Sequence, residues 1–343
     1  KHGGNIDIGC LDNWKDEVMN IVEDKIRVGK VRFGKTWSMR IEGALKTELD
    51  RLKDRFVITV TDKAQNNILF TCKYFYIQKV KEELNRPGQM TYQAINTNQA
   101  LINSNIVNFS ASKGIKVPEN MLDIPLIYWI PKMHKNPIGS RFIAGSKFCS
   151  IKLLSKNFSK ALKLILNHMK LYSKVVFERA QLNQYWILEN SLEFLEGIKN
   201  KNISHMETYD FSTLYTALPH EDIKVKFLGI FNKVYKRENK SYINVGYSKT
   251  YFSASKNRNG WSYSLVDMVE ILDFILDNIY VKFGKDIFKQ IIGIPIGLDS
   301  GQDIANLLLF SYESTYIENL AKTNIALACK FNLCKRYIDD LFV

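Results

Sequence analysis

The chain has 343 residues, of which 46% are hydrophobic and 12% aromatic, and 48 Lys and Arg against 35 Asp and Glu give it a formal charge of +13. This composition can bury a core, which excludes a largely disordered chain, and the length suits two domains or one domain with lobes. No apolar run approaches the about 20 residues that cross a bilayer, so we expect a soluble protein with no membrane partner.

The first part of the chain is predicted to be helical and then to form a hairpin. Charged sequence with apolar residues at helical spacing predicts a helical N-terminal extension over residues 1–55. Two β-rich runs, residues 56–60 and 68–72, flank the polar residues 61–67, which predicts a hairpin with a long turn. A helix is expected to follow, from about residue 75 to residue 84.

The middle of the chain is predicted to contain a second hairpin and two helices. Residues 126–130 form an apolar run typical of a buried strand, and residues 141–144 suit its return strand. The apolar residues between 154 and 169 recur at helical spacing among lysines, which predicts an amphipathic helix. A further helix is predicted from about residue 185 to residue 198.

The last part of the chain is predicted to alternate strands and helices. A strand should end at Asp210, and Pro219 should open a helix. The other predicted elements are a polar loop over 236–259, a helix over 265–279, a strand at 291–292, a glycine-rich turn over 293–301 and a helix after it.

The positive charge is concentrated in one stretch of sequence. Residues 124–177 contain ten basic residues and no acidic one. One-sided charge repels itself unless an anion lies across it, and the phosphate backbone of a nucleic acid is the obvious candidate, with a solvated lysine face as the alternative. The lysines that we expect to contact nucleic acid are Lys152, Lys156, Lys160 and Lys163.

Three aspartates form the strongest candidate for chemistry. Asp339 and Asp340 are adjacent carboxylates, which suit the turn of a hairpin better than the interior of a strand. An ordinary surface turn would explain that pair alone, but Asp210 also stands at the end of a predicted strand, before a turn into a helix. Carboxylates from two strand ends can hold two divalent metal ions about 4 Å apart, which align the attacking hydroxyl and stabilise leaving pyrophosphate. Oxygen ligands suit Mg²⁺.

The segments around these aspartates resemble the conserved motifs of reverse transcriptases. The similarity is closest to the Penelope-like retroelements, and the matching segments follow the family's order over residues 56–343. Residues 210–220, 293–297 and 337–340 resemble the A, B and C motifs. Further similar segments are residues 56–73, which include an Asp62–Lys63 element, 131–135, 141–143 and 307–313.

The resemblance implies a mixed α+β fold, that of a right-hand polymerase with fingers and a palm whose antiparallel sheet packs on helices. It divides the chain into the helical extension over residues 1–55, a hairpin region and fingers over 56–205, and an incomplete palm over 206–343. The thumb and the nuclease domain that many members carry are expected to be absent. We therefore expect this polypeptide alone to polymerise weakly or not at all.

The resemblance also implies the catalytic residues. Asp210, Asp339 and Asp340 would be the catalytic, metal-binding carboxylates, with the backbone carbonyl of Phe211 assisting. They would hold two Mg²⁺ ions, for which Mn²⁺ is a possible substitute.

The nucleotide site follows in the same way. Tyr215 would be the steric gate that excludes a ribose 2′-hydroxyl. Arg141 and one of Lys132 or Lys135 would clamp the triphosphate, the arginine as a fork and the lysine as a compact charge. Gly297 would let the backbone approach the templating base pair without a Cβ in the way.

The partners implied by the resemblance are an RNA template, a DNA primer and deoxynucleoside triphosphates, and the oligomeric state stays open. It also implies nuclear action; the scattered, odd number of cysteines otherwise favours an intracellular compartment. One alternative is a truncated, inactive remnant that still binds nucleic acid. A second is an RNA-templated RNA polymerase, against which Tyr215 argues. Asp299 and Asp303 make the segment after motif B more acidic than is usual in the family, and they could perturb template contact.

Overall fold

A computed structural model describes residues 43–86, 90–199, 205–211 and 213–343, together with residues 13, 16, 17, 20, 23, 201 and 203. The helices of this part of the chain are α1 (Gly43–Arg55), α2 (Lys73–Leu84), α3 (Gln99–Ser112), α4 (Lys152–Ala180), α5 (Ser191–Ile198), α6 (Leu214–Ala217), α7 (His220–Glu238), α8 (Leu265–Asp277), α9 (Gly301–Thr323) and α10 (Ile325–Lys330). The strands are β1 (Phe56–Thr61), β2 (Ala64–Cys72), β3 (Tyr92–Ile95), β4 (Leu126–Lys132), β5 (Gly139–Gly145), β6 (Thr208–Asp210), β7 (Tyr242–Val245), β8 (Thr250–Ser253), β9 (Trp261–Tyr263), β10 (Tyr280–Phe283), β11 (Asp286–Gln290), β12 (Lys335–Tyr337) and β13 (Asp340–Phe342).

The chain divides into two compact units, Lys1–Phe56 and Val57–Val343. Most of the predicted helical extension lies outside the described residues. Its described end is α1, which is helical as predicted. None of the helices in the described part is apolar over a length sufficient to cross a bilayer.

The second unit contains a five-stranded sheet with the order β3-β11-β10-β4-β5, beside the separate β1-β2 hairpin. All of its strand pairs are antiparallel except β10 with β4. Helix α2 packs on this sheet because Tyr76, Val80 and Leu84 recur every four residues and are buried with Ile127 and Trp129 of β4. The Tyr76 hydroxyl also accepts a hydrogen bond from the backbone N–H of Trp129 at 2.9 Å.

The largest core lies among α4, α7, α8 and α9. Helix α4 buries the apolar stripe that its sequence predicts, and α7 does the same after Pro219, which stands just before its first residue. The buried residues of these two stripes are Leu154, Phe158, Leu162, Ile165 and Met169 on α4, and Ile223, Phe227, Ile230 and Val234 on α7. The prediction of a fold that mixes helices and sheets is therefore confirmed.

Two local predictions about the hairpin and helix boundaries were wrong. The first hairpin turns within residues 62–63, so β2 begins at Ala64 and takes up most of the predicted turn. The helix predicted over 185–198 begins only at Ser191, after Asn190 caps it by accepting a hydrogen bond from the N–H of Glu193. Residues 186–188 stay extended because their backbone bonds to β12.

Two predictions for the last part of the chain were also wrong. The predicted polar loop contains β7 and β8, which form a three-stranded sheet with β9. Polar residues fit inside it because the buried Asn244 side chain bonds to the Ser255 carbonyl and the Ser262 hydroxyl. The strand predicted at 291–292 lies earlier, as β11. The chain reverses between β10 and β11 through Gly284, which has a φ of +64°.

Candidate active site

The small sheet with the order β12-β13-β6 brings two of the predicted carboxylates together. Strand β13 runs antiparallel to β6 in a register that pairs Asp340 with Asp210. Directly opposed residues project from the same face of a sheet with their Cβ atoms about 5 Å apart. Asp339 occupies the turn between β12 and β13, and its carbonyl accepts a hydrogen bond from the Phe211 N–H at 3.2 Å. The three aspartates thus lie at one end of one sheet.

The electrostatics of this end of the sheet favour a cation. The pKa of Asp340 is raised, first by partial burial and then by repulsion from Asp339 and Asp210, while Lys63 acts in the opposite direction. Among the described residues, no three His, Cys, Asp or Glu side chains converge into a preassembled metal site. The aspartates are therefore neighbours whose mutual repulsion Lys63 offsets only in part, rather than a closed cluster. Their donors are all carboxylate oxygens, which suit a hard divalent cation.

A buried arginine supports the turn that carries Asp339. Ile338 adopts a φ of +57°, a conformation that β-branched residues rarely adopt. Arg336, which is 0% exposed, donates from Nη1 to the Ile338 carbonyl at 2.8 Å and to Asn306 Oδ1 at 2.9 Å. Its Nε and Nη2 donate to the two carboxylate oxygens of Glu313, which makes a bidentate ion pair. The side chain thus ties the turn to helix α9.

Sequence reasoning missed Arg336 and Glu313 as contributors to the site. The available signal was a second basic residue next to Lys335 in the three-residue strand before the turn, together with a lone acid on a largely apolar stretch of α9. A buried cation needs a buried anion, so such a pair is a reasonable contact to look for. Nothing in the local pattern, however, says which acid lies opposite.

Tyr215 lies near the carboxylates. It is half-buried on α6, and burial, followed by the charges of Asp339 and Asp303, raises its pKa to about 12. The turn at Gly293 fixes its backbone, since the Ile294 N–H donates to the Tyr215 carbonyl at 2.7 Å. Gly293 has a φ of +82°, and a Cβ there would lie 2.3 Å from that same carbonyl oxygen, so the approach requires glycine.

The backbone of Gly297 packs directly against the backbone of β5. It has a φ of +118°, and a Cβ at this position would lie 2.1 Å from the Ala144 carbonyl oxygen. The Ala144 N–H donates to the Ile296 carbonyl at 2.8 Å, and the Ser146 hydroxyl donates to the Gly297 carbonyl at 2.5 Å. The close packing of backbone on backbone is a reason for glycine that the sequence did not reveal. Its role beside a templating base pair stays a prediction.

The three predicted triphosphate contacts lie on the β4–β5 hairpin. Register pairs Arg141 with Ile130 and Lys132 with Gly139, so Lys132 and Arg141 share one face of the hairpin. Lys135 lies beyond the strands, at the exposed tip. Of the two lysines, Lys132 is therefore the better partner for Arg141. Arg141 donates from Nη1 to Asp62 Oδ1 at 2.7 Å.

The predicted nucleic-acid lysines on α4 divide into two pairs. Lys152 forms an ion pair with Asp299 at 2.8 Å, and Lys160 donates to the Gly246 carbonyl at 3.0 Å. Lys156 and Lys163 are exposed. The first pair is thus engaged within the chain, and the second presents its charge to solvent.

The two acids after motif B also have partners within the chain. Asp299 bonds to Lys152, and the buried Asp303 accepts a hydrogen bond from the Ser159 hydroxyl at 2.5 Å. Burial raises the pKa of Asp303 to about 6. Both carboxylates therefore hold α4 against the start of α9 through hydrogen bonds to residues of α4.

Solved structures with a matching fold are telomerases. The chain matches telomerase from Candida albicans in complex with the TWJ fragment of telomeric RNA, with a TM-score of 0.57 and 15% identity over 86% of this chain and 46% of that one. It matches telomerase from Candida tropicalis with the same kind of fragment at a TM-score of 0.54 and 15% identity, over 88% and 44%. For apo telomerase from Candida tropicalis the TM-score is 0.54 and the identity 14%, over 91% and 52%.

The fold is that of a reverse-transcriptase-like polymerase. The chain spans about half the length of the telomerase structures that it matches. No protein-family model matches the sequence, and neither does a curated protein. The reverse-transcriptase resemblance of the sequence is thus confirmed at the level of the polymerase fold.

The buried ion pair behind the aspartate turn of this polymerase fold gives a stability prediction. Arg336→Met leaves the Glu313 carboxylate buried without its partner, which should lower the free energy of unfolding by about 3–5 kcal/mol in urea denaturation. The double variant Arg336→Met/Glu313→Leu replaces both charges with apolar groups, so it should be more stable than Arg336→Met alone.

Arg51→Met is the matched control, because it breaks an exposed ion pair with Glu48 and should leave stability nearly unchanged. Additive losses in the double variant would contradict the coupling of Arg336 and Glu313.

Proposed function

We propose that this chain is the catalytic region of an RNA-directed DNA polymerase of the Penelope-like kind. The observation that carries the proposal is the register that sets Asp340 opposite Asp210 within a reverse-transcriptase-like fold. The proposed hairpin region and fingers are residues 56–205, and the proposed palm is residues 206–343. In this assignment the β12-β13-β6 sheet is the palm sheet that presents the carboxylates.

The three aspartates, with the backbone carbonyl of Phe211, would hold two Mg²⁺ ions, and Mn²⁺ would substitute. When bound, the metal supplies positive charge that activates the primer hydroxyl and stabilises the leaving pyrophosphate. The all-oxygen donor set and the raised pKa of Asp340 support this assignment. Since the described side chains are not preassembled into a cluster, phosphate oxygens of the nucleotide would complete the coordination.

The neighbouring side chains would bind and select the nucleotide. Arg141 and Lys132 share a hairpin face, where a guanidinium fork and a compact ammonium can bind triphosphate oxygens. Tyr215, half-buried and close enough to Asp339 to be influenced by its charge, would occupy the space of a ribose 2′-hydroxyl. Gly297 would permit close backbone approach to the templating pair.

An RNA template is the proposed main partner, with a DNA primer and deoxynucleoside triphosphates as substrates. Two of the matched telomerase structures are complexes with a telomeric RNA fragment, and the exposed Lys156 and Lys163 add positive charge to α4. Together they support RNA binding. Nuclear action is proposed from the family resemblance alone.

The first functional prediction separates chemistry from binding. Asp210→Asn keeps the shape of the side chain but removes its charge, so Mg²⁺-dependent extension of a DNA primer on an RNA template should fall to background. Affinity for the template–primer, measured by fluorescence anisotropy, should stay within severalfold. Asp286→Asn, an exposed aspartate on another sheet, is the control and should extend normally.

Three outcomes are decisive. Equal loss of extension and binding in Asp210→Asn would contradict the separate roles of the aspartates and the basic residues. Unimpaired extension would contradict the metal assignment. Because this polypeptide alone is expected to extend weakly or not at all, the comparison is made in the full-length protein that contains it. A full-length wild type that binds the hybrid but never extends the primer would favour the nucleic-acid-binding remnant over the polymerase.

The second functional prediction concerns sugar selection. Tyr215→Ala should increase ribonucleotide incorporation relative to deoxynucleotide incorporation by about tenfold or more, because the ring no longer fills the 2′ space. Tyr215→Phe keeps the ring and should keep the selectivity. The ratio of kcat/KM for the two nucleotides is the measurement, and an unchanged ratio in Tyr215→Ala would remove the gate assignment.

A further inference from the structure

The turn of the first hairpin is attached to the second hairpin through Asp62. Its backbone N–H donates to the Pro131 carbonyl at 3.1 Å, on β4. Its carboxylate Oδ1 accepts from Arg141 Nη1 at 2.7 Å, on β5. The Asp62 side chain is 7% exposed, whereas that of Arg141 is 38% exposed. A buried acid in the turn of one hairpin therefore holds a partly exposed cation on another.

We propose that Asp62 is a positioning residue for the triphosphate: it fixes the guanidinium of Arg141 through Nη1 and leaves the other donors free to bind phosphate oxygens. The inference rests on the proposed polymerase function and assigns a role to the Asp62–Lys63 element, for which the sequence supplies none. In the part of the chain that the structure describes, Asp62 is the only side-chain partner of Arg141.

The physical need for such an anchor comes from the arginine itself. A free Arg side chain loses rotamer entropy when it is ordered, and that loss would otherwise reduce triphosphate affinity. A guanidinium has five N–H donors in a rigid fork, so one donor can be fixed while the rest stay available. An acid that holds Nη1 therefore orders the group before the nucleotide arrives.

The neighbouring residue of the turn connects it to the carboxylates. Lys63 has a φ of +62°, a left-handed conformation that is unfavourable for a non-glycine residue. Its ammonium lies close enough to Asp340 to act against the rise in the pKa of that carboxyl. The Asp62–Lys63 turn thus has one residue that bonds to the proposed triphosphate clamp and one whose charge reaches Asp340.

A second feature argues that Asp62 is more than an incidental surface pair. Its Oδ2 is buried and has no hydrogen-bond donor among the described residues. Leaving a buried acceptor unsatisfied is destabilising, so this position contributes poorly to stability alone. The Asp62 carboxylate is buried, so its pair with Arg141 differs from the fully exposed ion pairs that contribute little to stability. Of the two Asp62 carboxylate oxygens, Oδ1 therefore holds Arg141, and Oδ2 adds no hydrogen bond of its own within the described residues.

The test is steady-state primer extension by the full-length protein that contains this chain, with the variants Asp62→Asn, Asp62→Glu and Arg141→Ala. Asp62→Asn should raise KM for the deoxynucleotide by about tenfold, the loss expected for the rotamer freedom of one long side chain, with kcat little changed. Asp62→Glu keeps the charge and should recover part of the affinity. Because Asp62 acts through Arg141, the double variant Asp62→Asn/Arg141→Ala should be no worse than Arg141→Ala alone.

Asp123→Asn is the matched control, since it removes the carboxylate of another aspartate ion pair, with Lys282, and should leave KM unchanged. Thermal melting of every variant identifies unfolding, which would lower the active fraction without moving KM. Unchanged or lowered KM in Asp62→Asn would overturn the inference, the latter because Asp62 would then withhold Arg141 from phosphate. If the wild type shows no Asp210-dependent extension, the proposed function fails and this inference fails with it.

Discussion

The register of β13 against β6 is the constraint on which the candidate site depends. Side chains alternate along a strand, so a slip of one residue would move Asp340 to the opposite face and leave Asp210 facing an apolar neighbour. The short strands of this sheet cannot fix the register by themselves, because each has three residues. The ladder between β6 and β13 continues past the strand ends, where Glu207 and Val343 exchange backbone hydrogen bonds and the Phe211 N–H donates to the Asp339 carbonyl. Arg336 holds the preceding turn, since it bonds to the Ile338 carbonyl and to two residues of α9.

The buried guanidinium of Arg336 determines where the turn at Ile338 is held. Its charge can leave water only where oxygens surround it, and α9 supplies them from Asn306 and Glu313, which lie two helical turns apart on one face. The same helix follows the glycine turns that dock on Tyr215 and Ala144. Helix α9 is therefore connected to the aspartate turn, to the candidate gate Tyr215 and to the second hairpin. A small displacement of this helix would shift all three.

Much of the architecture was predictable because it follows from the periodic spacing of apolar and polar residues that are close in sequence. The apolar stripes of α4 and α7, the β4–β5 hairpin and the aspartate turn all follow from spacing over a few residues. The errors occur where distant partners decide. Residues 186–188 are extended because β12 pairs with them, and Asn244 enters a strand because Ser255 and Ser262 satisfy its amide. Likewise, the sequence names Arg141 and Arg336 as cations but cannot say that Asp62 and Glu313 lie opposite them.

The central proposal is that Asp210 and the Asp339–Asp340 pair jointly hold the two divalent cations, and iron-mediated cleavage tests it directly. Fe²⁺ that replaces Mg²⁺ generates hydroxyl radicals with ascorbate and peroxide, and these cut the backbone beside the bound metal. The account predicts cuts next to residue 210 and next to residues 339–340, both suppressed together by excess Mg²⁺. Cleavage at one of these segments without the other, or at neither, would contradict it.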